Sequence, residues 1–177
     1  MEKPEVLDRA IRRVRDFPKP GILFYDINGI LVNPEAFAFC VERLTELCRE
    51  AGAKTVVGVE ARGFVFAAPV AERLRLPLVL VRKKGRLPSK SYTAKYSLEY
   101  GEAEVEVCAE DVRAGQKVAV VDDLIATGGT LQAARSVLEQ GGARVAGYFG
   151  VIGLPSLNYA QTLAPLPVTT LINYESE

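Results

Sequence analysis

The segments TVVGVE, PLVLVRK, KVAVVD and RVAGYFGVI are almost unbroken apolar runs. A strand that is apolar on both faces must be covered on both faces, which is the condition of a strand inside a parallel sheet. Helical segments stand where such a sheet needs them: GFVFAAPVAERLR separates the first two runs and LQAARSVLEQ the last two. The alternation predicts an α/β domain with a mostly parallel central sheet flanked by helices. Ligands of such sheets bind beyond the carboxyl ends of the strands. Three of those ends carry polar clusters, EARG, RKKG and DDLIATGG, which are expected to converge.

The rest of the chain fits around this frame. Val6, Leu7, Ala10, Ile11 and Val14 recur at helical spacing and predict a first helix, with Pro4 in its first turn and FPKPG as its end. After the short apolar run GILFYDI, Asn33 and Pro34 read as N-cap and first residue of a helix running to about Ala51 and closed by Gly52. Residues 83–96, KKGRLPSKSYTAKY, show no sustained apolar period and read as a long mobile loop. AEVEVCAE alternates apolar and acidic residues and predicts a half-exposed strand, with YSLEY as an antiparallel partner across Gly101. The helix after Thr130 buries Leu131, Ala134 and Leu138 and stops at Gly141 and Gly142. A short helical piece then leads to a last strand in PVTTLINYE. The 177 residues fit a single domain, with no repeat and no linker.

Composition removes several classes of chemistry. The chain has no histidine, which excludes Ser-His-Asp triads, Cys-His dyads and imidazole-based metal sites. Cys40, Cys48 and Cys108 form no C-x-x-C pair and read as buried thiols. Lys plus Arg equals Asp plus Glu at 22 each, so no global field favours nucleic acid. No apolar run approaches the roughly 20 residues of a membrane span, and the start, MEKPEVLDRAIRRVRDF, is too charged for a signal peptide, which points to the cytoplasm.

The chemistry left is that of carboxylates, lysine, arginine, tyrosine and backbone. ATGGT lacks the lysine of a nucleoside-triphosphate loop and the G-x-G-x-x-G of a dinucleotide fold. It offers the hydroxyls of Thr127 and Thr130 and bare amides at Gly128 and Gly129, at the start of a helix, to one phosphate group. Taken alone, TGGT is equally a tight glycine turn capped by threonine. Asp122 and Asp123 add a second requirement. Adjacent carboxylates at a buried strand end repel each other unless hydroxyl donors or a cation take their lone pairs. A ribose 5-phosphate satisfies both ends of the loop.

VAVVDDLIATGGT resembles the phosphoribosyl pyrophosphate signature of the type I phosphoribosyltransferases. FPKPGILFYDI, GVEARGFVFAAPVA, VRKKGRLP, YSLEYG and LINYE narrow the resemblance to the adenine phosphoribosyltransferase family, in the same order over nearly the whole chain. The resemblance implies the type I fold: an N-terminal hood over about residues 1–33, a core over about 34–177, and a flexible antiparallel hairpin over about 83–100. It implies a substrate set of adenine and phosphoribosyl pyrophosphate, AMP and pyrophosphate as products, Mg²⁺ bound with the pyrophosphate and ribose hydroxyls, and a homodimer.

Residue by residue, the family pattern gives Ala126, Thr127, Gly128, Gly129 and Thr130 to the 5′-phosphate, and Asp122 and Asp123 to the ribose. Glu60 and Ala61 match a pyrophosphate loop that can carry a non-proline cis bond, and Arg82, Lys83 and Arg86 match basic residues that receive pyrophosphate, with Arg86 in place of the commoner Lys. Glu99 and Tyr100 match the loop that closes over the substrates, with Glu99 facing the purine; with Arg82 they form the implied catalytic set. Leu23 and the backbone around it match the hood that recognises adenine, Arg62 lines the nucleotide site, and Tyr25 stands where the family usually has Arg. The alternatives are a phosphoribosyltransferase for a 6-oxopurine, which typically uses a lysine near the chain end, and a non-catalytic phosphoribosyl pyrophosphate sensor. After Arg144 the chain has no Lys or Arg, and no residues remain for a DNA-binding domain.

Overall fold

The apolar runs form the centre of a seven-stranded sheet in the structure, a computed structural model that describes residues 4–98 and 101–175. In chain order the elements are α1 (Glu5–Ala10), β1 (Arg12–Arg15), β2 (Leu23–Asp26), α2 (Asn28–Leu31), α3 (Pro34–Glu50), β3 (Thr55–Val59), α4 (Gly63–Leu74) and β4 (Leu78–Lys83). There follow β5 (Ser91–Leu98), β6 (Gly101–Cys108), β7 (Lys117–Ile125), α5 (Gly129–Gln140), β8 (Arg144–Gly153), α6 (Tyr159–Leu163) and β9 (Val168–Asn173). The sheet order is β5-β6-β4-β3-β7-β8-β9. β4, β3, β7, β8 and β9 are parallel neighbours, and β6 and β5 extend one edge antiparallel. All five residues of β3 are buried, as a strand covered on both faces requires.

Alternation sends successive β3 side chains to opposite faces. Val56 joins Phe66, Ala67 and Val70 of α4 and Cys40 and Leu44 of α3 on one side. Val57 and Val59 join Leu131, Ala134 and Leu138 of α5 on the other. Asn33 caps α3 as expected, its side-chain oxygen accepting from the amides of Glu35 and Ala36 at 3.1 Å each. Burial pushes the Cys40 and Cys48 thiols up to about 12, consistent with inert core residues. Cys108 is only half-buried, with its sulfur 3.2 Å from the Ser89 hydroxyl. No helix among the described residues is long and apolar enough to cross a membrane.

Three expectations are corrected. The first helix ends at Ala10 rather than beyond Val14, because Arg12–Arg15 pairs antiparallel with Leu23–Asp26 to make a two-stranded hairpin; Val14 is 42 % exposed. Strand pairing outside the local window overrides the helical spacing. The loop read over residues 83–96 is a strand from Ser91 onward, paired with β6 through Leu98↔Gly101, so Tyr96, Ser97 and Leu98 end a longer strand than expected. The β6 strand is not simply polar on one face either: Glu106 is 2 % exposed.

Candidate active site

The loop that follows β7 closes around a small cavity. Ala126, Thr127, Gly128, Gly129 and Thr130, with Asp122, line a volume of about 90 Å³ at the N-terminus of α5. That is well below the roughly 300 Å³ at which pockets for whole small molecules begin, and suits one anionic group. Gly128 has φ +85°, and a Cβ there would sit 3.0 Å from Leu163 Cγ, so both backbone and space require glycine. The α5 amides have no intrahelical partners in their first turn and face an anion favourably.

Asp122 and Asp123 meet different neighbours. The Asp123 amide donates to Asp122 Oδ1 at 2.9 Å. Burial and the adjacent Asp123 charge raise the Asp122 carboxyl well above its ordinary value, against the opposing pull of that amide and of Arg62. Gly63, the first residue of α4, lies so close that a Cβ would be 2.8 Å from Asp122 Oδ1 and 2.9 Å from the Val121 carbonyl oxygen. Arg62 Nε lies 2.8 Å from Asp123 Oδ2 as an ion pair. The pair does not have hydrogen-bond alignment, and Oδ2 is a buried oxygen without a hydrogen-bond donor among the described residues. A buried acceptor in that state is costly until a donor reaches it.

The ends of β3 and β4 are tied by Glu60. Its Oε2 accepts from Arg82 Nε at 3.2 Å and from the Lys83 amide at 2.9 Å. The Glu60-Ala61 peptide is cis. Arg82 also donates to the Arg86 carbonyl at 3.4 Å. Lys83 and Arg86 are exposed. The strand-end clusters therefore converge as expected, EARG contacting RKKG through Glu60 and DDLIATGG through Arg62.

The hairpin of β1 and β2 completes the site from above. The guanidinium carbon of Arg62 lies 5.8 Å from the ring centroid of Phe24, so two planar groups face each other beside the Asp123 carboxylate. Phe24 was not anticipated from the sequence. Tyr25 falls on the other side of the strand, 5 % exposed, with its ring stacked on Tyr174 at 4.4 Å and 6°. Leu23 lines a groove with Tyr25, Arg13 and Tyr174 on that same side. The Tyr174 hydroxyl donates to Asp8 of α1 at 2.8 Å, and Arg13 of β1 pairs with Asp8 at 2.6 Å and lies 5.0 Å from the Tyr174 ring centroid. These contacts fasten the hairpin to the segment after β9. Glu99 and Tyr100 lie outside the described residues.

The comparisons with known proteins agree with this geometry. Residues 29–156 match the phosphoribosyl transferase domain family. The chain is 60 % identical over 175 residues to the adenine phosphoribosyltransferase of Treponema denticola, covering 99 % of this chain and 92 % of that protein. The adenine phosphoribosyltransferase structure from Rhodothermus marinus superposes with a TM-score of 0.89 at 40 % identity, over 96 % of this chain and 97 % of that one. The Saccharomyces cerevisiae enzyme, solved with an imino-altritol bisphosphate and adenine, gives a TM-score of 0.89 at 36 % identity, over 94 % and 96 %. Sheet order, strand-end clusters and sequence identity agree: the chain belongs to the adenine phosphoribosyltransferase family.

Proposed function

We propose that the protein transfers the 5-phosphoribosyl group of phosphoribosyl pyrophosphate to N9 of adenine, giving AMP and pyrophosphate, in keeping with the name adenine phosphoribosyltransferase that its relatives carry. The observation that carries the reading is the position of Arg62, which touches Asp123 on one side and faces the Phe24 ring on the other. One side chain thus joins the acidic end of β7 to the aromatic ring of the β1–β2 hairpin. A purine stacked on the Phe24 ring beside the Arg62 guanidinium would gain stacking and cation–π attraction.

The remaining residues take their roles around it. The amides of Gly128 and Gly129, with Thr127 and Thr130, would hold the 5′-phosphate, and Ala126 would shape the loop. Ribose hydroxyls would donate to the Asp122 and Asp123 carboxylates, with the Arg62 charge beside Asp123 Oδ2. Arg82, Lys83, Arg86 and the Glu60-Ala61 backbone would receive the pyrophosphate. Leu23 would act through its main chain, and Tyr25 by holding the hairpin in place.

Displacement at C1 of the ribose by N9 passes through a state with oxocarbenium character. The Asp122 and Asp123 carboxylates favour the ring's positive charge, and the basic residues favour the departing anion. Closure over the substrates of the loop to which the family pattern assigns Glu99 and Tyr100 would exclude water, which competes for the same centre. Mg²⁺ would be held through the substrate, by the pyrophosphate and the ribose hydroxyls that Asp122 and Asp123 receive, as suits an ion that usually keeps substrate phosphates and waters as ligands. Bound with the pyrophosphate, it would neutralise developing charge. The reading extends to a cytoplasmic homodimer acting in purine salvage. Incubation of the purified protein with adenine, phosphoribosyl pyrophosphate and Mg²⁺ is expected to yield AMP and pyrophosphate in equal amounts; absence of AMP would overturn the reading.

A further inference from the structure

Glu106 is a nearly fully buried carboxylate with no part in the chemistry above, yet four donors converge on it. Its Oε1 accepts from the backbone amides of Arg86 at 2.8 Å and Leu87 at 2.9 Å. Its Oε2 accepts from the Ser91 hydroxyl at 3.1 Å and lies 3.5 Å from Lys84 Nζ. Burial alone would raise its pKa, but the two amides, the hydroxyl and the Lys84 charge together take it below the ordinary value, so the ionised form is the bound one.

The strand register explains why a carboxylate stands there. Glu106 on β6 is paired directly with Arg82 on β4. The turn between Lys83 and Ser91 leaves β4 beside it and carries the exposed Lys83 and Arg86. Arg86 is clasped at both ends of its peptide groups: its amide donates to Glu106, and its carbonyl accepts from Arg82, which is itself held by Glu60. A continuous chain of contacts therefore runs from Glu106 through Arg86 and Arg82 to the strand-end cluster.

We infer that Glu106 is a positioning residue for the pyrophosphate half of the site, its carboxylate oxygens fixing the basic turn before substrate arrives. This rests on the transferase reading given above. An unfixed turn would have to be ordered at the moment of binding, and displacement of a binding group by about 1 Å is enough to cost on the order of a hundredfold.

The chemistry of the carboxylate separates position from charge. Glu106→Gln keeps an oxygen for both amides, places an NH₂ donor where Oε2 accepts from Ser91 so that the hydroxyl must turn to accept, and loses the charge facing Lys84. Glu106→Asp keeps the charge but shortens the reach. The expected result is a rise of about 10- to 100-fold in the KM for phosphoribosyl pyrophosphate with Asp, a rise within about threefold with Gln, and an adenine KM unchanged in both. Calorimetric binding of Mg²⁺-pyrophosphate to the same folded proteins should follow the same order. That binding reads the inference even if the wild type makes no AMP, so failure of the inference and failure of the transferase reading are distinguishable. A Gln variant impaired as badly as Asp, an Asp variant indistinguishable from wild type, or an equal rise in the adenine KM would each overturn it.

Discussion

Replacing Asp122 with Asn is expected to make the ligand-free protein more stable while crippling the enzyme. Burial and the Asp123 charge push the Asp122 carboxyl well above its ordinary value. An acid whose pKa is higher folded than unfolded binds its proton more tightly in the folded state. Stability then falls as pH rises from the unfolded pKa through the folded one, and the whole penalty is present above both. Asn is neutral throughout and retains an oxygen for the Asp123 amide, which sits 2.9 Å from Asp122 Oδ1. Removing such a misplaced charge typically stabilises by about 0.5–2 kcal/mol. At about 2–4 °C per kcal/mol for a chain of this size, the melting temperature should rise by about 1–8 °C near neutral pH. The gain should shrink toward about pH 4, where the unfolded carboxyl also takes up its proton. Activity moves the other way. A hydrogen bond from a sugar hydroxyl to a carboxylate is worth about 1.5–3 kcal/mol, so kcat/KM for phosphoribosyl pyrophosphate should fall about 10- to 150-fold. Thermal melts across this pH range and initial rates measure both. An Asn variant no more stable than wild type above neutrality, or a gain independent of pH, would show that the acidic pair is not held at electrostatic cost.

Two further substitutions probe the supports of the site. Tyr174→Ala removes a ring that is 3 % exposed and stacked on Tyr25. It should cost about 3–5 kcal/mol in chemical denaturation, whereas Tyr174→Phe, losing the hydroxyl bond to Asp8, should cost about 1 kcal/mol; equal costs would remove the stack from the account. Gly63→Ala places a methyl 2.8 Å from Asp122 Oδ1. It should destabilise by about 1–3 kcal/mol and weaken phosphoribosyl pyrophosphate binding more than adenine binding, and wild-type affinity in titration calorimetry would contradict the close packing.

What could be read from the sequence was what the chain determines locally. The apolar runs of β3 and β7 reveal burial on both faces, and ATGGT reveals a tight turn entering a helix, because both signals lie within a few neighbouring residues. The errors fall where a partner distant in sequence decides. Arg12–Arg15 has a helical-looking context and becomes a strand only because Leu23–Asp26 pairs with it. In SYTAKYSL, Tyr92, Ala94 and Tyr96 alternate and pack on the core, but Gly85, Pro88 and the lysines before them give the segment the composition of a loop. Glu106 has the appearance of any acid on an alternating strand; its donors come from Lys84, Arg86, Leu87 and Ser91, on the neighbouring turn and strand. Phe24 was hidden inside an apolar run, and only the fold shows that it faces Arg62 while Tyr25 faces Tyr174. Tyr25, where the resemblance implies an arginine, carries a ring that fastens the hairpin through Tyr174, which accounts for an aromatic residue there.

The central claim is that the site beside Asp123 and Arg62 receives adenine as the acceptor of a phosphoribosyl group. Its most direct test is the ratio of kcat/KM values for adenine, hypoxanthine, guanine and xanthine, measured separately with phosphoribosyl pyrophosphate and Mg²⁺. The account predicts efficient formation of AMP from adenine and little nucleotide from the three 6-oxopurines. Comparable or greater efficiency with any 6-oxopurine would contradict it.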